Sequence, residues 1–250
     1  MGKYFGTDGV RGKANEGLTL DMSIKIGQYL GWYYGKEKHA KILIGKDTRL
    51  SGDMFELGLA AGATSMGAQV YLLGVCPTPA ISYLVRKERF DCGIMVSASH
   101  NQYYDNGIKC FNHNGEKMEE ELLLEVEKYM DGLTDLDLVT GDHIGEYFEW
   151  EDGLEIYMSW LKECVPVDLS GMKILCDLAN GSATSTAVET LDSLGAIVDA
   201  INNSPNGINI NNKCGSTHPE GLQRMMREGD YDIGLAFDGD ADRLIMVDSD

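Results

Sequence analysis

The stretch "KILIGKDTRLSGDMFELGLAAGATSMGAQVYLL", residues 41–73, holds the pattern on which the fold turns. Residues 41–45 (KILIG) form a short apolar run, too brief for a helix, that ends in a polar loop. Residues 53–66 then read as a helix, with Ser51 as a cap and Asp53 and Glu56 as acids in the first turn. Residues 69–73 (QVYLL) are again β-rich. The alternation continues on both sides, with helical patterns at 20–36 and 79–89 and a strand at 93–96. It predicts an α/β fold in which helices cover a mixed, mostly parallel sheet.

Residues 130–153 (MDGLTDLDLVTGDHIGEYFEWEDG) are acidic, punctuated by Gly and Asp, and hold no sustained period, as expected of a linker. Beyond it the alternation resumes. Helices are expected at 154–164, 185–194 and 219–228, and strands at 172–177, 196–200, 232–237 and 244–247. Two α/β domains follow, residues 1–150 and 151–250. One internal echo links them. Residues 91–96 (DCGIMV) and 232–237 (DIGLAF) share an Asp-x-Gly-apolar form, and each runs into a polar loop and a second strand. Chance similarity of buried strands and duplication of one unit both explain the echo. The chain stops at Asp250, directly after a strand, so it is expected to be a truncated piece of a longer protein.

The 250 residues are 43% hydrophobic and carry a net charge of −19. That charge opposes binding to nucleic acid, whose phosphates need a basic face, and to anionic membrane surfaces. No apolar run reaches the roughly 18 residues of a membrane span, and the N-terminus lacks a signal-peptide core. Six cysteines are scattered with no CxxC pair, which argues against a zinc site and against disulfides. The expected location is the cytoplasm.

Two loops stand out as places for chemistry. In DGDADR (238–243), Asp238, Asp240 and Asp242 follow an apolar strand at every second position, so they can face one side and would repel one another without a cation. Carboxylate oxygens suit Mg²⁺ or Ca²⁺. An EF-hand starting at Asp238 would need Gly at 243 and Glu at 249, where this chain has Arg243 and Ser249. In SASHN (97–101), Ser97 and Ser99 are both candidates for chemistry, and the loop alone does not choose between them. No G-x-S-x-G elbow, dinucleotide fingerprint or Walker loop is present. The segment 6–12 (GTDGVRG) reads as a glycine-rich loop that either lines an anion or simply turns. In 45–52, Asp47 and Arg49 read as a structural pair.

FGTDGVRG (5–12), GKDTRLSG (45–52), SASHN, DNGIK (105–109), NGININ (206–211), GSTHPE (215–220) and DGDADR occur in this order. Together they resemble the α-D-phosphohexomutase superfamily, and FGTDGVRG with SASHN favours its glucosamine branch. The resemblance implies a four-domain fold of which this chain covers the first two. It implies phosphoryl transfer within a hexosamine phosphate, with a phosphomannomutase/phosphoglucomutase activity as the near rival. A non-catalytic module binding Mg²⁺ and a sugar phosphate is a more distant one. By position, Ser99 matches the phosphoserine and Asp238, Asp240 and Asp242 match Mg²⁺ ligands, joined by a phosphate oxygen on Ser99. Arg243 matches a phosphate-orienting arginine. Arg11 and Lys109 match cations beside the reacting phosphate, with Lys109 the better general acid/base, and His100 lies beside the phosphoserine. The family commonly has Pro after SASHN where this chain has Gln102. Some relatives pair through the first domain, so a homodimer is an expectation, and the first two domains alone are expected to lack turnover.

Overall fold

The computed structural model describes residues 2–36 and 38–248. Its first sheet has six strands: β1 (Val10–Lys13), β2 (Lys41–Lys46), β3 (Gln69–Val75), β4 (Cys92–Val96), β5 (Asp105–Asn112) and β6 (Tyr147–Glu149). Their order across the sheet is β1-β5-β4-β2-β3-β6. Strands β4, β2, β3 and β6 run parallel, while β5 is antiparallel to both β4 and β1. The second sheet has the order β10-β9-β7-β8, from β7 (Lys173–Asp177), β8 (Ile197–Ile201), β9 (Ile233–Phe237) and β10 (Leu244–Val247). There β8, β7 and β9 are parallel and β10 returns antiparallel to β9.

Strict alternation along β2 explains the layering. Ile42 and Ile44 enter one core with α1 (Leu20–Tyr34), α2 (Gly52–Thr64) and α4 (Glu120–Met130). Leu43 points the other way, into a core with α3 (Thr78–Lys87) and α5 (Gly153–Cys164). A parallel strand buried on both faces needs such an unbroken apolar run. The second sheet repeats the scheme. Ile174 and Cys176 pack beneath α6 (Ala187–Ser193), and Leu175 beneath α7 (Glu220–Glu228).

The expected echo is a repeat of whole units. The succession β2-α2-β3-α3-β4-β5 has the same sheet order and strand directions as β7-α6-β8-α7-β9-β10. Even the start of the central pair is copied. Asp91 accepts from the Lys41 amide at 2.8 Å and donates its own amide to the Lys41 carbonyl at 2.9 Å. Asp232 does the same with Lys173, at 2.7 and 2.9 Å.

Four local expectations change. Residues 10–12 of the glycine-rich segment, together with Lys13, form β1, a strand rather than only a loop. The acidic stretch is not all linker, because Tyr147–Glu149 adds β6 to the sheet edge. Ser51 makes no side-chain cap. Its hydroxyl accepts from Asn106 instead, and Glu56 turns inward to pair with Lys46. The helix α5, grouped by sequence with the second domain, sets Tyr157 into the core under β2 and α3. The cysteines are free, and all but Cys164 are buried. Among the described residues no helix is long and apolar enough to cross a membrane.

Candidate active site

The two polar loops occupy equivalent places in the repeat. Each leaves the C-terminal end of the last parallel strand, β4 or β9, and enters the antiparallel return, where open α/β sheets present ligand sites. The two ends face one another, and 139 residues of sequence separation close to a single contact. Ser99 Oγ donates to Asp238 Oδ2 at 2.8 Å and accepts from Arg243 Nη2 at 2.6 Å. Arg243 also holds Asp238 Oδ2 through Nη2 at 2.6 Å, and its remaining reach ends on His100 Nδ1 at 2.6 Å. A guanidinium only donates, so in this contact His100 Nδ1 is the acceptor, sharing the two Nη2 N–H groups with Ser99 Oγ and Asp238 Oδ2.

The two serines have different surroundings. Ser97 Oγ is spent inside the protein, donating to Asp47 at 2.6 Å and accepting the Ser99 amide at 2.9 Å. Ser99 has a positive φ of 53°, which turns its hydroxyl away from the strand's alternation and toward the aspartates.

Carboxylate oxygens of Asp238, Asp240 and Asp242 all lie within 4.8 Å of one another. Asp240 is fully buried. One of its oxygens accepts from Thr78 Oγ1 at 2.6 Å and from Lys109 Nζ at 2.5 Å, while Oδ1 has no hydrogen-bond partner among the described residues. A buried orphan oxygen facing two further carboxylates is what a hard cation would satisfy, so the residues present fit a divalent metal. Burial works to raise the Asp240 carboxyl, but the Lys109 ammonium and the donated hydrogen bonds outweigh it and hold it below its usual range. Asp242 is raised, first by burial and then by the charge of Asp240.

The remaining expected residues divide. Lys109 is in the cluster, also lying 3.6 Å from Asp242. Arg11 lies on β1 opposite Gly107, with its nearest ion pair to Asp8 at 3.5 Å, and no described contact brings it to Ser99 or the aspartates. Sequence reasoning missed Thr78. Its amide also donates to the Asp240 carbonyl at 2.9 Å, so the N-terminus of α3 fixes the aspartate loop twice. The Thr-Pro start of that helix was the available signal. Gln102 finds a place facing the second unit, its side chain 3.5 Å from the Asn211 carbonyl. A cleft lined by Thr7, Gly9, Thr78, Lys109, Phe111 and Asp242 opens beside the cluster.

Known proteins resemble this chain in sequence and fold. Residues 2–136 match the family model described as phosphoglucomutase/phosphomannomutase, alpha/beta/alpha domain I, and residues 155–250 match that of domain II. The chain is 52% identical to phosphoglucosamine mutase of Lachnospira eligens, across 99% of this chain and 56% of the relative. It is 49% identical to that of Clostridioides difficile, with the same two coverages. The crystal structure of a phosphoglucomutase/phosphomannomutase family protein from Burkholderia thailandensis matches with a TM-score of 0.82 at 25% identity, covering 99% of this chain and 55% of that one. The chain therefore spans little more than half the length of the curated relatives it matches.

Proposed function

Since this chain belongs to the phosphoglucomutase/phosphomannomutase family, we propose that it is the phosphoserine- and metal-bearing part of a phosphoglucosamine mutase. The observation that carries the reading is the contact of Ser99 Oγ with Asp238 and Arg243 inside a cluster of three carboxylates. In the proposed cycle, phospho-Ser99 gives its phosphoryl group to O1 of glucosamine 6-phosphate. The bound 1,6-bisphosphate turns over, its 6-phosphate returns to Ser99, and glucosamine 1-phosphate leaves.

Phosphoryl transfer is mostly positioning and stabilisation of charge on the moving group. Arg243 already touches Ser99 Oγ and would orient the phosphate oxygens by paired N–H donors. As the general acid/base, Lys109, partly buried beside Asp240, would first release one ammonium proton to solvent; the neutral amine would then take the proton of the attacking sugar hydroxyl and give it to Ser99 Oγ as the phosphoryl group leaves. His100 would steady Arg243 through Nδ1. Asp238, Asp240 and Asp242, with a phosphate oxygen on Ser99, would hold Mg²⁺, which when bound supplies positive charge to the transferring group. Arg11 would meet the phosphate only from the substrate side.

The close identity to phosphoglucosamine mutases favours glucosamine over glucose or mannose phosphates. Intact-mass analysis of the protein is expected to find a phosphate adduct that maps to Ser99 and is lost in Ser99→Ala. An adduct on Ser97 would overturn the assignment. Turnover in the intact protein should be highest with glucosamine phosphates, and a preference for mannose phosphates would transfer it to the rival activity. Residues 1–250 alone, spanning 56% of those relatives, are expected to show negligible turnover.

A further inference from the structure

The geometry points to Arg49 and Asn211 as positioning residues that together hold Ser99 in its reactive attitude, a role that rests on Ser99 being the phosphate carrier. Arg49 is buried to the last atom of its side chain. Its Nε donates to Asp47 at 2.8 Å, and its other four N–H groups go to main-chain carbonyls of the serine loop. Nη2 reaches the carbonyls of Ser99 at 2.9 Å and Asn101 at 3.0 Å. Nη1 reaches those of Gln102 and, at 3.1 Å, Asp105. All five guanidinium donors are thus used, four of them to fold one loop around one charge.

Asn211 completes the grip from the other unit. Its Nδ2 donates to the same Ser99 and Asn101 carbonyls, at 2.9 and 3.0 Å. The Ser99 amide is held as well, by Ser97, which is braced on Asp47, the ion-pair partner of Arg49. Both main-chain groups of Ser99 are therefore fixed from opposite sides.

The clamp has a specific task. A serine at φ 53° sits in a region that costs on the order of 1–2 kcal/mol for a residue with a Cβ. Released, Ser99 would relax to an extended conformation, and its hydroxyl would turn from Asp238 and Arg243 toward the opposite face of the strand. Because Asn211 belongs to the second unit and Arg49 to the first, the aim of Ser99 depends on the two units being docked. This places function on NGININ and GKDTRLSG, two segments that contact neither the aspartates nor a reacting atom.

Asn211 has φ 55°, a conformation that both Asn and Asp accept. Asn211→Asp therefore keeps backbone and size while removing the donor and facing two carbonyls with negative charge. Arg49→Lys keeps the charge but has three donors on one nitrogen, which cannot reach four dispersed carbonyls and Asp47. In the intact protein, each variant is expected to lower kcat for glucosamine 6-phosphate at least tenfold while KM stays within threefold. The Kd for Mn²⁺ at the unphosphorylated aspartate cluster should also stay within threefold. Unchanged kcat in Asn211→Asp would overturn the clamp, and so would a loss of Mn²⁺ affinity matching the loss of rate, which marks general disruption. If Arg49→Lys does not fold, Asn211→Asp decides alone. Wild-type protein that carries no phosphate on Ser99 would instead overturn the functional reading from which the clamp takes its purpose.

Discussion

Ser97 and Ser99 are two residues apart, both buried and both hydrogen-bonded to an aspartate, yet their surroundings give them opposite work. Ser97 is a strut between Asp47 and the Ser99 amide. Replacing it with Ala removes two hydrogen bonds and leaves the Asp47 oxygen with fewer donors in a dry site, at a cost of about 1–3 kcal/mol. Ser97→Ala is therefore expected to melt several degrees lower while still carrying phosphate on Ser99; thermal denaturation and peptide mapping read the two effects separately. Loss of the adduct with an unchanged melting point would reverse the roles. Sequence alone could not separate the pair, because residues i and i+2 of an extended segment share a face. The positive φ at Ser99, imposed by residues some 50 and 110 positions away, breaks that rule. The Asp47–Arg49 pairing was legible from its spacing. The reach of Arg49 over four carbonyls was not, since a local pattern carries no information about loops that fold back on it.

At the scale of elements, the two strand–loop–strand units meet loop to loop, and Gly239 lies at their junction. A Cβ there would stand 2.5 Å from the Ser99 carbonyl oxygen and 2.7 Å from Asn211 Nδ2. Both neighbours are themselves held by the clamp, so neither can yield cheaply. Gly239→Ala should cost roughly 1–3 kcal/mol by overpacking and spread the serine and aspartate loops apart. Circular dichroism melting together with Mn²⁺ titration would register both changes. Wild-type values for both would show that the junction has slack. The alternation of strands and helices was readable from apolar runs and their lengths, because the central runs, β2 and β4 above all, are buried on both faces. Strand β6 escaped notice for the converse reason. Its three residues are all exposed and sit in an acidic stretch, too short for any period to show.

For the whole molecule, composition and arrangement pull in different directions at one place. The second sheet ends in β10, which among the described residues is paired on one side only, with its other row of backbone donors and acceptors outside any ladder. Leu244, Ile245 and Met246 on that strand are exposed, Met246 by 69%. The mutual repulsion of chains that each carry −19 charges opposes the addition of another copy's strand at such an edge. That repulsion acts through solvent and is screened within about 10 Å at 0.1 M salt. The colloidal behaviour of residues 1–250 should therefore run opposite to that of a protein held apart by its surface chemistry alone. Light scattering is expected to report a constant particle size at low ionic strength and growing assemblies as neutral salt is added. Charged substitution at Met246 should suppress the growth, and equal growth with Met246→Lys would show that another surface is responsible.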